Sequence, residues 1–173
     1  MALATVLSVA GCSSDTDNGD QPASGTSAVK TNARLGQVGG KLAKAKAAKV
    51  VSAVADIVEQ WSEAAFEGSG STQPKGAFGA FTGDARDLAL KQTALSNQGA
   101  GKIGDARTTR RVVRVDVIAA RGRAVGATAR IKLLVQLPGL DRTDQIRGRL
   151  LLTPTKHGWK VFGFDVQRGE GTP

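Results

Sequence analysis

The chain of 173 residues has one cysteine, one histidine, one methionine and no tyrosine. A single cysteine cannot form a disulfide within the chain. One Cys and one His cannot supply the four ligands of the usual structural zinc site, so neither a metal nor any other cofactor is expected. Any Ser-His-Asp or Cys-His chemistry would have to rest on His157 alone. His157 lies between Pro154 and Gly158 with no acidic neighbour in sequence, which reads as an exposed hairpin turn. No apolar run reaches the roughly 20 residues that a membrane-crossing helix needs.

What is present begins with an address. Residues 1–11 read MALATVLSVAG, Cys12 follows at once, and the polar run SSDTDNGDQPASGTS comes next. Leu7-Ser8-Val9-Ala10-Gly11-Cys12 resembles a bacterial lipobox, in which small residues precede the cysteine that receives the lipid. The resemblance implies a diacylglycerol thioether on Cys12, cleavage before it, and a signal peptide over 1–11. It places the protein on the extracytoplasmic side of a cell membrane. Two or three acyl chains would anchor firmly where one is marginal. One feature departs from the pattern: neither Lys nor Arg occurs before Lys30, although a signal peptide opens with positive charge. That leaves room for a start further upstream. The plainer alternative is a cytosolic chain with an apolar leader and an incidental Cys12.

Charge sorts along the sequence. Asp15, Asp17 and Asp20 lie in the polar run, and all 24 Lys and Arg lie from Lys30 onward. The remaining 12 acidic residues leave residues 30–173 with a net charge of +12. Nucleic acid is the ordinary partner of a chain with pI near 10.2, but no aromatic-rich RNA-binding signature is visible. An extracytoplasmic address excludes nucleic acid and points to an anionic surface instead, headgroups or wall polymer. The bland alternative is solubility together with an arginine-rich genomic bias.

Residues 12–40 read as a lipidated cysteine and a disordered tether, and 41–169 as one α+β domain with a short tail at 170–173. Val50, Val51, Val54, Ile57, Val58, Trp61 and Ala65 recur at three- and four-residue steps, predicting a long helix over about 42–67. Its early lysines and late glutamates oppose the helix dipole, so packing must hold it. A second helix is expected at about 84–96. From Val113 the period changes to two, and four strands with short connections predict an antiparallel meander. One face would be apolar. The other carries Arg114, Arg130, Lys132, Arg147 and Arg149 as a basic surface.

Helices first, then four strands, resembles the cystatin-like cone fold of the nuclear-transport-factor-like superfamily. The resemblance covers about 42–168 and rests on element order, on Trp61, and on the closing Gly158-Trp159-Lys160-Val161 strand. It implies helices packed into a curved sheet. The same closing strand is distantly similar to the extracytoplasmic domains of actinobacterial Mce-associated proteins. Those proteins usually carry a transmembrane helix instead of a lipobox. The superfamily hosts enzymes and binding modules alike, so the fold assigns no chemistry.

The apparent motifs mostly fail on context. Residues 99–104 match G-x-G-x-x-G but follow a predicted helix and precede a strand, the reverse of a dinucleotide site. Ser27-Ala28-Val29-Lys30 matches S-x-x-K but lies in the tether. Asp15 to Asp20 lacks the twelfth-position Glu of a calcium loop. Resemblance to the pocket enzymes of the cone fold, of the ketosteroid-isomerase and SnoaL-like type, would make Asp165 the base. Asp165 shares strand parity with Trp159 and Val161, so it could point inward, where an apolar pocket would raise its pKa. The competing reading is an ordinary strand-end ion pair. Trp61, Phe78, Phe81 and Trp159 would line a ligand pocket or fill it. The last strand is apolar on both faces, which calls for cover of the second face either by the N-terminal segment or by a partner, such as a second copy across the sheet. The expected role is a non-enzymatic binding or accessory module at the membrane surface, with an apolar ligand or a partner protein. The alternatives are the pocket enzyme and a purely structural envelope protein.

Overall fold

A computed structural model describes residues 29–68, 76–98 and 103–171. Strand β1 (Asn32–Gly39) leads into helix α1 (Lys44–Phe66) and helix α2 (Gly83–Ala89). Four strands follow: β2 (Arg107–Ala120), β3 (Arg123–Leu137), β4 (Arg142–Thr155) and β5 (Gly158–Glu170). The architecture is α+β, with a five-stranded mixed sheet in the order β1-β2-β3-β4-β5.

The sequence expectation needs two corrections. Residues 32–39 are not tether: they pair parallel to β2, from Asn32 opposite Val112 to Gly39 opposite Ile118. The sheet therefore has five strands instead of four, and the long helix is preceded by a strand. Its NARLGQVG sequence has no clean alternation, because the register shifts between Leu35 and Val38. The second helix ends at Ala89 rather than Ser96, and a separate 3-10 turn covers Thr93–Leu95.

Helix α1 forms against its own electrostatics. Ala43 caps it without a side-chain hydrogen bond, and no acid occupies its first turn. Packing supplies what capping does not. Val54, Val58 and Trp61 are almost wholly buried and form the spine of the core with Val113, Val115, Leu133 and Leu150. Burying each such side chain contributes about 1.5–3 kcal/mol. Trp61 also donates its indole N–H to the Leu95 carbonyl at 3.2 Å, which ties α1 to the 3-10 turn.

Bulges set which side chains face this core. Leu152 pairs with Val161 but Leu151 pairs with Gly163, so Phe162 is an extra residue in β5. An extra residue reverses the alternation beyond it. Val161 faces in before the bulge, and Phe164 and Val166 pack on the core after it. A second shift, between Thr108 and Arg110 in β2, leaves Thr109 extra and turns Thr108 inward, while Arg111 keeps the inward parity of Val113 and Val115.

Candidate functional site: the outer face of the sheet

The outer sheet face is built from cross-strand neighbours. Arg34 is opposite Arg114, Arg114 opposite Arg130, Arg130 opposite Arg149, and Arg149 opposite Asp165. Strands lie about 4.8 Å apart, so four guanidinium-bearing residues span about 15 Å in one line. Beside this row, Lys132 is opposite Arg147. All five basic residues expected on this face are exposed, and Arg34 joins them. Arg34 was missed because it falls in the stretch read as tether. Its only sequence signal is a single cation among small residues.

Directly opposed like charges destabilise a sheet. Two acids offset part of this row. Asp116 accepts from Arg130 Nε at 2.9 Å and from the Gln37 backbone N–H at 2.9 Å, with Arg114 Nε at 3.7 Å. The hydrogen bond from Arg130, then that from Gln37, hold its carboxyl below the ordinary carboxylate range against a smaller cost of burial. Gly36 makes room for this group, since a Cβ there would stand 2.0 Å from Asp116 Oδ1. Asp165 pairs with Arg149 at 3.1 Å. Among the described residues, Arg34, Lys132 and Arg147 have no carboxylate within 4.0 Å. The face is a cation array only partly neutralised.

Asp165 does not face the core. Its side chain is 61% exposed and lies on the arginine side of the sheet, because the Phe162 bulge reverses the parity it seemed to share with Trp159. The aromatic residues expected around a ligand pocket fill the space themselves. Trp61, Phe78 and Phe81 are each about 1% exposed, and Trp159 is half-buried against the same cluster. Trp61 meets Phe66 edge-on at 5.5 Å, Phe78 meets Phe81 at 5.1 Å, and Phe81 leans on Phe164 at 6.2 Å. Surface hollows lie elsewhere: one of about 460 Å³ beside Pro138, Arg142 and Glu170, another of about 680 Å³ beside Arg121 and Val125. His157 is exposed in the β4–β5 turn, where its backbone N–H donates to Thr155 Oγ1.

Two arginines, one buried and one partly buried, hold ion-pair clusters on the inner side. The Arg111 side chain is fully buried and donates to Ser62 Oγ at 2.7 Å, to the Val29 carbonyl at 2.8 Å and to Thr31 Oγ1 at 3.2 Å. Glu59, Glu63 and Glu67 stand 3.4–3.6 Å from its guanidinium. Thr31 in turn donates to Glu59. This cluster absorbs the misplaced acids of α1 and pins the chain at the start of β1. Arg168 joins buried Asp144 at 2.6 Å and also donates to the Ser96 carbonyl and Asn97 Oδ1. Both clusters hold elements together. No group of His, Cys, Asp and Glu among the described residues could hold a metal ion.

Cys12, the signal segment, the S-x-x-K serine and most of the 99–104 glycine motif lie outside the described residues. No helix among the described residues is long and apolar enough to cross a membrane. The chain matches no protein-family model, no curated protein and no solved structure.

Proposed function

We propose that this chain is a lipid-anchored envelope protein, tethered through Cys12 on the extracytoplasmic side. Its α+β domain would be a non-catalytic binding module pressed against an anionic surface by the outer sheet face. The observation that carries this reading is the Arg34–Arg114–Arg130–Arg149 row. Such a row costs stability within the sheet, so it invites a function that repays the cost. Each cation near an anionic bilayer contributes about 1 kcal/mol, and the unpaired Arg34, Lys132 and Arg147 contribute without first breaking an ion pair. The aromatic cluster occupies its own interior, which favours surface binding over an enclosed apolar ligand. The exposed ion pair of Asp165 favours the non-catalytic reading over the pocket enzyme. The order of two helices and then four antiparallel strands is consistent with the cone fold, to which β1 would be an added parallel edge.

Two measurements test this. The intact mass of full-length protein from its host's membranes should show a diacyl or triacyl chain beginning at Cys12. An unmodified chain beginning at Met1 would remove the anchor and return nucleic acid as a partner to test. Unlipidated Cys12→Ser protein should co-sediment with phosphatidylcholine vesicles containing phosphatidylglycerol and not with phosphatidylcholine alone. Equal binding to both, or to neither, would overturn the role of the basic face.

A further inference from the structure

The outer face is not uniformly basic. Toward the β2–β3 and β4–β5 hairpin ends it turns apolar. Ile118 is 60% exposed and Phe162 52% exposed. Leu151 lies over the bare backbone of Gly163, 3.4 Å from where a Cβ would stand. Thr128 sits between Asp116 and Leu151 in the same cross-strand row, and Gly126 opposes Ile118. Phe162 follows buried Val161 in an extended strand, so alternation turns it away from the core, and the bulge leaves it without a cross-strand partner beside Gly163. Beyond Asp116, no acid among the described residues interrupts the paired rows at this end. Cations rim it: Arg121 and Arg123 at one hairpin, Lys156 at the other, Arg130 and Arg149 behind, while Lys160 is held by the Gly79 carbonyl at 2.7 Å.

We propose that this end of the sheet inserts into a bilayer rich in anionic phospholipid, with Ile118, Leu151 and Phe162 among the upper acyl chains. The arginine row would lie at phosphate level. This deepens the reading above and rests on it, since it names the bilayer itself as the anionic surface. Apolar side chains ringed by cations suit the interface of an anionic membrane, where apolar burial and headgroup attraction add. A soluble polyanion would reward the arginines but leave Phe162 and Ile118 in water. A second copy seated symmetrically on this face would set one arginine row against another, which like-charge repulsion opposes. The tether permits the pose: the seventeen steps from Cys12 to Val29 reach at most about 60 Å, longer than the sheet.

The test uses the full chain with Cys12→Ser, so that Phe162→Cys carries the only thiol, labelled with an environment-sensitive nitrobenzoxadiazole. Ala48→Cys, exposed on the opposite side of the molecule on α1, is the control. Phosphatidylglycerol vesicles should shift the label at position 162 to the blue and leave the label at 48 unchanged. In otherwise unlabelled protein, Ile118→Ser should weaken vesicle binding about tenfold. Vesicle binding with no blue shift at 162 and no loss in Ile118→Ser would overturn insertion and leave the electrostatic reading standing. Binding to soluble polyphosphate without binding to vesicles would overturn insertion in favour of a polymer surface. A label already blue-shifted before vesicles are added, or a doubled mass in solution, would mean that the leader or a second copy covers the patch, and would also overturn it. Absence of binding to every anionic probe would remove the underlying reading as well.

Discussion

At the residue scale, the side chains that matter most are charged groups in unlike settings. Arg111 is buried and holds three glutamates together with the start of β1. The glutamates are partly exposed and stay solvated without it, so its removal costs about 2–4 kcal/mol through the cavity it leaves and the hydrogen bonds lost by Ser62 and the Val29 carbonyl. Arg111→Ala is therefore expected to lower stability in urea denaturation by about that amount. Amide exchange at residues 31–36 should rise well before global unfolding, because Thr31 and the Val29 carbonyl lose their anchor. Arg111→Lys should recover part of the loss, since it keeps the charge and gives up the fork of donors. Asp116 is the opposite case, a carboxylate with 21% of its side chain exposed, serving the outer face. Its folded pKa is depressed, so its contribution to stability is present above the unfolded value and is lost as pH falls through the folded one. The stability gap between wild type and Asp116→Asn should thus be constant near neutrality, about 1 kcal/mol, and should close in acid below about pH 4. A gap that widened on acidification would contradict the ion-pair geometry.

At the element scale, the sheet depends on places where backbones approach too closely for a side chain. Gly148 in β4 has φ +151°, and a Cβ there would stand 2.1 Å from the Asp165 carbonyl oxygen. Gly148→Ala must move β5 outward, so thermal denaturation should show a loss of about 2–4 kcal/mol, larger than for an ordinary strand alanine. Elements with strong periodicity were legible in the sequence. The apolar steps of α1 predicted 42–67 against an observed Lys44–Phe66, and alternation from Val113, Val125, Ile146 and Trp159 onward marked all four antiparallel strands. β1 was not legible, since Gly36, Gly39 and Gly40 make it look like linker and its pairing partner lies about 80 residues away. The side of β5 that bears Asp165 was also hidden. A bulge is a property of two strands in register, so the LLTPT and WKVFGF segments read separately give no sign that Phe162 is extra. The basic face was largely legible because alternation alone assigns Arg114, Arg130, Lys132, Arg147 and Arg149 to one side. Arg111 shares the parity of Val113 and so falls on the inner side by alternation as well, but its role was not legible, because its partners Ser62, Glu59, Glu63, Glu67 and Thr31 lie about 45–80 residues away.

At the scale of the whole molecule, the charges divide by location more than by number. Glu59, Glu63 and Glu67 are gathered around Arg111 at the inner side, and Asp144 is spent on Arg142 and Arg168. Few acids are left for the outer face, which keeps six cations against Asp116 and Asp165. Association with an anionic surface should therefore depend steeply on ionic strength, because the Debye length falls from about 10 Å at 0.1 M to about 3 Å at 1 M. The unpaired cations and the paired ones should behave differently. Reversing Arg34 or Arg147 to Glu removes a free charge and adds a repulsive one, which should weaken binding to phosphatidylglycerol vesicles about tenfold or more. Arg149→Glu also releases Asp165, placing two acids together, and its effect should be larger. Reversing Lys49, exposed on α1 on the far side, lowers net charge by the same amount and should change binding little. Vesicle titrations over a salt series decide the matter. If Lys49→Glu costs as much as Arg34→Glu, attraction follows net charge alone and the molecule has no oriented face. If only the outer-face variants lose binding and flatten the salt dependence, the sheet presents one surface to the membrane.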